Sequence, residues 1–371
     1  MKWRPGSCRC LHQAAEKCEE KKGKNMIIKD EKEFLVNGIG ESLDVLDRYI
    51  EDAEIMTHHW HEHKTSSHRD FPVRLSEDLL VSYNDNNGVY HRGDISEYAF
   101  SQLCGKVGVP AAYIKKCFAN GLGDLAVKNY WEWSQRNFQE TKLLVREYDG
   151  VIRAVLTDKY NVFNTASVLR NIRNAVEDPR YRGRYTLSQI YMDTDKLHIR
   201  FVDFEHKIKV GKTELYPGFT VSSSDVGDAS LNIKYFLYRF ACRNGIVIIK
   251  NGGILFRQTH LRNFDEIGGT LFANALENMD MLNEYSAKQI AMAENKHLTA
   301  DEMQMYLTRA KRELHLGKKI EAVVDLMNTV YTDRNLISFV NAITQNAQDY
   351  TLNTRLEHET WAGKLLDTAA A

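Results

Sequence analysis

The stretch Leu143–Thr157, LLVREYDGVIRAVLT, constrains this chain more than any other. Two alternating, strand-like runs meet at Asp149-Gly150, and a two-residue type I′ turn needs positive φ at both central positions, which Asp-Gly tolerates. That turn predicts Tyr148 opposite Val151 and Arg146 opposite Arg153. Like charges facing each other on a sheet repel, so an anion between the two guanidiniums is the natural complement, and a phosphate backbone is one such anion. The competing reading has both arginines fanned into water on a solvated face.

The chain has 371 residues, 43% hydrophobic and 27% charged, enough for one large or two medium domains with a packed core. No window offers about 18 uninterrupted apolar residues, and the N-terminus MKWRPGSCRC has no apolar signal core. The expectation is a cytoplasmic protein with no membrane partner. Cys8, Cys10, Cys18, Cys104, Cys117 and Cys242 are too sparse for a disulfide framework, so free thiols are expected. The net charge of −1 argues against a general polyanion binder, yet it is unevenly placed. Residues 1–140 carry 19 Lys and Arg against 22 Asp and Glu, residues 141–262 carry 20 against 12, and residues 263–371 carry 10 against 16. A basic middle is the electrostatic footprint of a nucleic-acid surface, although docking on an acidic segment of the same molecule would neutralise it.

Residues 1–25 are Lys- and Glu-rich and aperiodic, and read as a disordered tail. Residues 26–140 read as an N-terminal mixed, mainly helical region. Leu43, Leu46, Ile50 and Ala53 share a helical face, a polar histidine-rich loop follows, and two short strands flank Asn84–Gly88. Helices then begin at Ser96, Ala111 and Leu122, the last with Leu125, Tyr130 and Trp133 as core contacts. Residues 141–265 read as an antiparallel β-rich core: the hairpin, a helix from Asn164 to Val176, and strands from Tyr185 to Thr259 with turns at Asn244-Gly245 and Asn251-Gly252. Residues 266–371 read as a helical segment broken near Gly317 and Thr332–Asn335. The fold class is therefore α+β: a central antiparallel basic sheet with hairpin-helix units, a helical region before it and a helical segment after.

Several ordered motifs resemble a known family. Ser223-Ser224-Asp225-Val226-Gly227 precedes a strand ending in Tyr238-Arg239-Phe240-Ala241-Cys242-Arg243-Asn244-Gly245. Upstream stand Gln102-Leu103, Gly108-Val109-Pro110 with Tyr113, and Leu156–Tyr160; downstream stand Asn341–Thr344 and Ala362-Gly363. Over roughly residues 95–366 this resembles the phage and plasmid-like proteins of the domain of unknown function numbered 932. Ser223 stands where that family more usually has Asn, and Gln258-Thr259-His260 departs from its His-Thr-Gly order. The resemblance supplies no activity. Its phage and plasmid context implies recombination, replication support or takeover of a bacterial host factor. Hairpin-helix units in a sheet are also similar in architecture to phage single-strand annealing proteins.

The resulting expectation is a non-enzymatic, cofactor-free, homo-oligomeric protein that binds single-stranded DNA and possesses the parts for strand annealing. Such a protein needs a basic groove with aromatic platforms. Arg146, Arg153, Lys159, Arg239, Arg243, Lys250, Arg257 and Arg262 supply charge, and Tyr148 and Tyr160 supply stacking rings. The alternative is a protein-interaction module acting on a host or phage partner through the acidic helices. A metal-dependent nuclease using Asp193, Asp195, Asp203 and Glu205 is a third, weaker reading. His59, His61 and His63 align at alternate positions of a strand as metal-ligand candidates.

Overall fold

The structure is a computed structural model, and it describes residues 35–41, 43–70, 72–211, 213–239, 244–246, 254–258 and 264–369. Among the described residues the chain divides into two compact units, one made of Trp60–Asp158 and the other of the residues up to and including His59 together with Lys159 onward. The β-hairpin of residues 143–157 and the helix that follows it thus belong to different units.

In chain order, β1 is Leu35–Glu41 and α1 is Leu43–His58. Then come β2 (Trp60–Lys64), β3 (Arg74–Leu75), β4 (Val81–Asn84), β5 (Tyr90–Ile95), α2 (Glu97–Val107), α3 (Ala111–Ala119), α4 (Gly123–Asn137), β6 (Leu143–Tyr148) and β7 (Val151–Thr157), which build the smaller unit. The larger unit continues with α5 (Thr165–Val176), β8 (Tyr185–Met192), β9 (Lys196–Asp203), β10 (Ile208–Val210), β11 (Thr213–Ser224), β12 (Leu231–Arg239), β13 (Asn244–Ile246) and β14 (Ile254–Gln258). It ends in α6 (Phe264–Glu277), α7 (Met279–Asn295), α8 (Ala300–Glu313), α9 (Ile320–Thr329), α10 (Leu336–Asn346) and α11 (Leu352–Ala369). The α+β class and the helical ending stand as the sequence indicates. Among the described residues, no helix is long and apolar enough to cross a membrane.

The smaller unit is a curled sheet in the order β2-β6-β7-β5-β4-β3. Its ladders are antiparallel except for β5 and β7, which run parallel through Asp94↔Val151 and Ile95↔Ile152. An antiparallel bridge from Thr65 to Asp85, with Asn86 N–H donating to the Lys64 carbonyl at 2.7 Å, joins the end of β2 to the end of β4. The strands β2, β4, β5, β7 and β6 therefore close into a ring. Helix α2, capped by the Ser96 side chain, fills it with Phe100 and Leu103 against Val81, Tyr83, Val145 and Ile152. Helix α4 buries Ala126, Tyr130 and Ser134, whereas Leu125 and Trp133, expected inside, are exposed. The period of α4 places those two on its outer flank.

The larger unit holds an antiparallel sheet in the order β1-β8-β9-β11-β12-β13. Ile199, Phe201, Phe219, Val221, Ile233 and Tyr235 join the side chains of α5 and the C-terminal helices in one core. On the opposite face the register aligns Arg200, Thr220 and Lys234 in one row and His198, Ser222 and Asn232 in the next. Asn244 and Gly245, expected as a turn, pair with Arg239 and Tyr238 inside β13; Asn251 and Gly252 lie outside the described residues.

Several cations of the basic middle are paired within this unit. Arg173 meets Asp47 at 2.8 Å, Arg180 meets Glu277 at 2.6 Å, Arg184 meets Asp203 at 2.6 Å and Asp280 at 2.7 Å, and Arg200 meets Glu359. Glu277, Asp280 and Glu359 come from the acidic C-terminal segment, so the positive excess read along the sequence is neutralised in part by docking inside the molecule.

Candidate nucleic-acid interface

The hairpin forms with the expected turn, φ being +50° at Asp149 and +78° at Gly150, and Tyr148 faces Val151. The expected arginine pair does not form. A bulge makes Arg153 the extra residue of β7, so Arg146 stands opposite Ala154. Arg146 is instead fully enclosed, its guanidinium 4.2 Å above the Trp60 ring and its Nε 3.3 Å from Glu62 Oε1. A side chain with no exposed surface offers nothing to an outside phosphate; here it cements β2 to β6.

The other sequence candidates divide between the units. Tyr148 packs edge-on against Trp60 at 5.3 Å, and Arg153 is half-buried. In the larger unit, Lys159 is exposed, and Tyr160 donates its hydroxyl to the Ser224 carbonyl at 3.3 Å. Arg239 lies 5.2 Å over the Tyr331 ring, and Arg257 is exposed with Nε donating to Ser230 Oγ at 3.1 Å. Arg243, Lys250 and Arg262 lie outside the described residues. The nuclease carboxylates are engaged in turns. Asp193 accepts from Asp195 and Lys196 N–H and from Tyr191 Oη, and Asp203 accepts from Glu205 and His206 N–H and from Arg184.

A different surface combines charge with exposed rings, and the sequence reading missed it. On the outer face of the small sheet, Arg74 of β3 pairs in register with Ser82 of β4, and Ser82 pairs with Arg92 of β5. Strands about 4.8 Å apart put the two arginine backbones roughly 10 Å from each other across Ser82. The next row is Asn84 beside Tyr90, whose side chain is 61% exposed. Trp131 of α4 is 36% exposed and lies 5.8 Å from the Arg74 guanidinium. Two shallow clefts share Arg74. One is lined by Pro72, Ser82, Asn84, Tyr90 and Asp70, whose carboxylate accepts from Ser67 Oγ at 2.6 Å; the other is lined by Leu75, Val127, Tyr130 and Trp131. Among the described residues, neither Arg74 nor Arg92 has a carboxylate within ion-pair distance. Strand alternation exposes these residues because Val81, Tyr83 and Leu75 take the inward positions.

The inward face carries a polar cluster at one mouth of the ring. The histidine-rich stretch expected as a loop is strand β2, and it points His63 inward opposite Val145. The His63 ring meets that of His91 at 4.0 Å between centroids, and His91 stacks on Tyr83 at 5.0 Å. Asp85 Oδ1 accepts from Asn87 and Val89 N–H, both at 2.9 Å, while Oδ2 faces His91 Nε2 at 3.4 Å. Tyr83 donates to Glu147 Oε1 at 2.7 Å, and Glu147 Oε2 is 4.0 Å from His63 Nε2. Burial, then the neighbouring His91, holds His63 below the usual imidazole range despite Glu147 and Asp85. Burial pushes the Asp85 carboxyl upward, but the Val89 and Asn87 N–H groups and His91 outweigh it and hold it low. Of the three histidines expected as ligands, only His63 joins this cluster. His61 is exposed on β2, and His59 belongs to the larger unit.

No family model, curated protein or solved structure matches this chain.

Proposed function

We propose that this protein binds single-stranded DNA through the outer face of its small barrel, in recombination or replication of the phage or plasmid type. The observation that carries the reading is the Arg74-Ser82-Arg92 row with Tyr90 and Trp131 beside it: two cations without carboxylate partners among the described residues, two exposed rings and short polar side chains on a shallow surface. Guanidiniums follow phosphates, and every base has a π-face to lay on an aromatic ring, so such a surface accepts a strand without choosing its sequence. The connectivity supports the same reading. A three-strand meander, a helical excursion, and a hairpin whose first strand closes on β2 and whose second runs parallel to β5 is the Greek-key path of barrels that bind oligonucleotides on the face of their second and third strands, here β4 and β5. That likeness is one of architecture. The resemblance of the sequence motifs to phage and plasmid-like proteins points to the same setting.

Fluorescence anisotropy of labelled oligonucleotides across a salt series tests this. Each lost phosphate contact removes about 0.7 from the slope of log K against log salt for a single strand, so R74A/R92A should lower it by roughly 1.4. Tyr90→Ala and Trp131→Ala should each cost about 1–3 kcal/mol of binding if the ring carries a base. A folded R74A/R92A/Y90A/W131A chain that binds with unchanged affinity and slope would remove the proposal from this face. A parent chain that does not bind at low salt would remove it altogether.

A further inference from the structure

The mouth of the barrel carries a second inference, independent of the outer face. We propose that His63, Asp85 and His91 form a divalent transition-metal site, with one ring nitrogen from each histidine and Asp85 Oδ2 as the protein ligands. Their donor atoms all lie within 4.8 Å of one another. The separation of His91 Nε2 from Asp85 Oδ2, 3.4 Å, is long for a charged hydrogen bond. It matches the edge of a tetrahedron with bonds of about 2.0–2.1 Å, which is about 3.3–3.4 Å. Bringing His63 to the same distance needs a closure of no more than about 1.5 Å, which ring rotation at a half-buried position supplies.

The ligands are also oriented as a metal site requires. Two backbone N–H groups hold Asp85 Oδ1 and leave Oδ2 as the oxygen aimed at the histidines. Tyr83 supports the His91 ring by stacking and fixes Glu147 by its hydroxyl, and Glu147 stands behind His63 as a carboxylate that can receive its second N–H. Two imidazoles and a carboxylate suit Zn²⁺ or a neighbouring first-row cation, with the fourth position left to water. A dication also resolves the crowding of two histidine rings 4.0 Å apart between the Asp85 and Glu147 carboxylates. The three ligands come from β2, the turn after β4, and β5, so the ion would clamp the place where the ring of strands closes at Thr65 and Asp85.

The test is titration of the chelator-treated full chain with Co²⁺, read by its visible ligand-field band, and with Zn²⁺ by calorimetry. Cys8→Ser, Cys10→Ser and Cys18→Ser are made throughout, because those thiols can themselves take either metal. One equivalent should bind with a tetrahedral spectrum lacking thiolate charge transfer. Asp85→Asn keeps the turn acceptor but removes the charge, and it and His91→Ala should weaken binding by at least tenfold. Glu147→Gln should weaken it about 10–100-fold, and His61→Ala should leave it unchanged. Circular dichroism establishes that each variant is folded, and if His91→Ala is not, Asp85→Asn decides alone. Absence of a bound equivalent in the chain lacking Cys8, Cys10 and Cys18, or undiminished binding by folded Asp85→Asn, overturns the site.

Discussion

Replacing Glu359 tests the reading that the basic sheet of the larger unit is neutralised from within. Its carboxylate grips Arg200 through two nitrogens, Nη1 at 3.2 Å and the closer Nη2, and the side chains are 0% and 4% exposed. Arg200 Nε makes no hydrogen bond among the described residues, and its guanidinium lies 5.0 Å from the Phe236 ring, so little else compensates the charge. Arg355 and Lys234 are close enough to press on the same neighbourhood; after burial and Arg200, they help drive His198 well below the usual imidazole range. Glu359→Ala leaves a buried, unmatched guanidinium among like charges. Removing one partner of a buried pair costs about 3–5 kcal/mol. At about 2–4 °C per kcal/mol for a unit of this size, the melting temperature should fall by about 6–20 °C. Removing both charges with Arg200→Met/Glu359→Leu should recover most of that loss, since a well-packed apolar replacement of a buried pair is often neutral. Calorimetry or circular-dichroism melts of the parent, both singles and the double close the cycle. A Glu359→Ala chain melting within about 1 °C of the parent would refute the argument, as would a double variant as unstable as the sum of the singles.

Two further perturbations follow from local geometry. His68 is 1% exposed, its Nδ1 accepts the Val73 N–H at 3.1 Å, and burial pushes its pKa down to about 4, so between there and the unfolded value near 6.5 the unfolded chain binds more protons. Stability from this group is therefore full above about pH 6.5 and is lost as pH falls toward 4; the urea midpoint should drop over that window and drop less in His68→Phe, and equal slopes would refute the assignment. Gly218 crosses the sheet where an added Cβ would lie 2.3 Å from the Phe201 carbonyl oxygen and 2.7 Å from the Phe236 ring. Gly218→Ala should cost about 1–3 kcal/mol by overpacking, and a denaturation midpoint equal to the parent's would show that the strands yield freely.

Period and turn chemistry made much of the fold legible. Val168, Leu169, Ile172 and Val176 are buried in α5 as their spacing indicates, and Asp149-Gly150 makes its turn. What the turn could not disclose was the bulge three residues further along: register at Arg146 is decided by packing on Trp60 and Glu62, which lie some eighty residues earlier. Strand β2 was hidden because His61, Glu62, His63 and Lys64 have no apolar alternation; its place comes from pairing with β6. Arg74 and Arg92 stand 18 residues apart in the sequence with no shared period, and only the β3-β4-β5 ladders align them. The charge asymmetry along the chain was real, but Glu277, Asp280 and Glu359 show that sequence position does not say which charges meet.

The larger unit is assembled from two lengths of chain with the whole barrel written between them. Strand β1 pairs with β8, and α1 lays Leu46 and Ala53 into the core that α5 completes. During synthesis those first elements leave the ribosome without partners, while the barrel behind them is contiguous and has all its strands before β8 is made. The early arm must then wait, sheet edge open and apolar face uncovered, for the residues that close over it. A chain cut short after the barrel would keep a folded module tethered to an uncovered, adhesive arm, so the order of translation sets how long that arm stays open to aggregation.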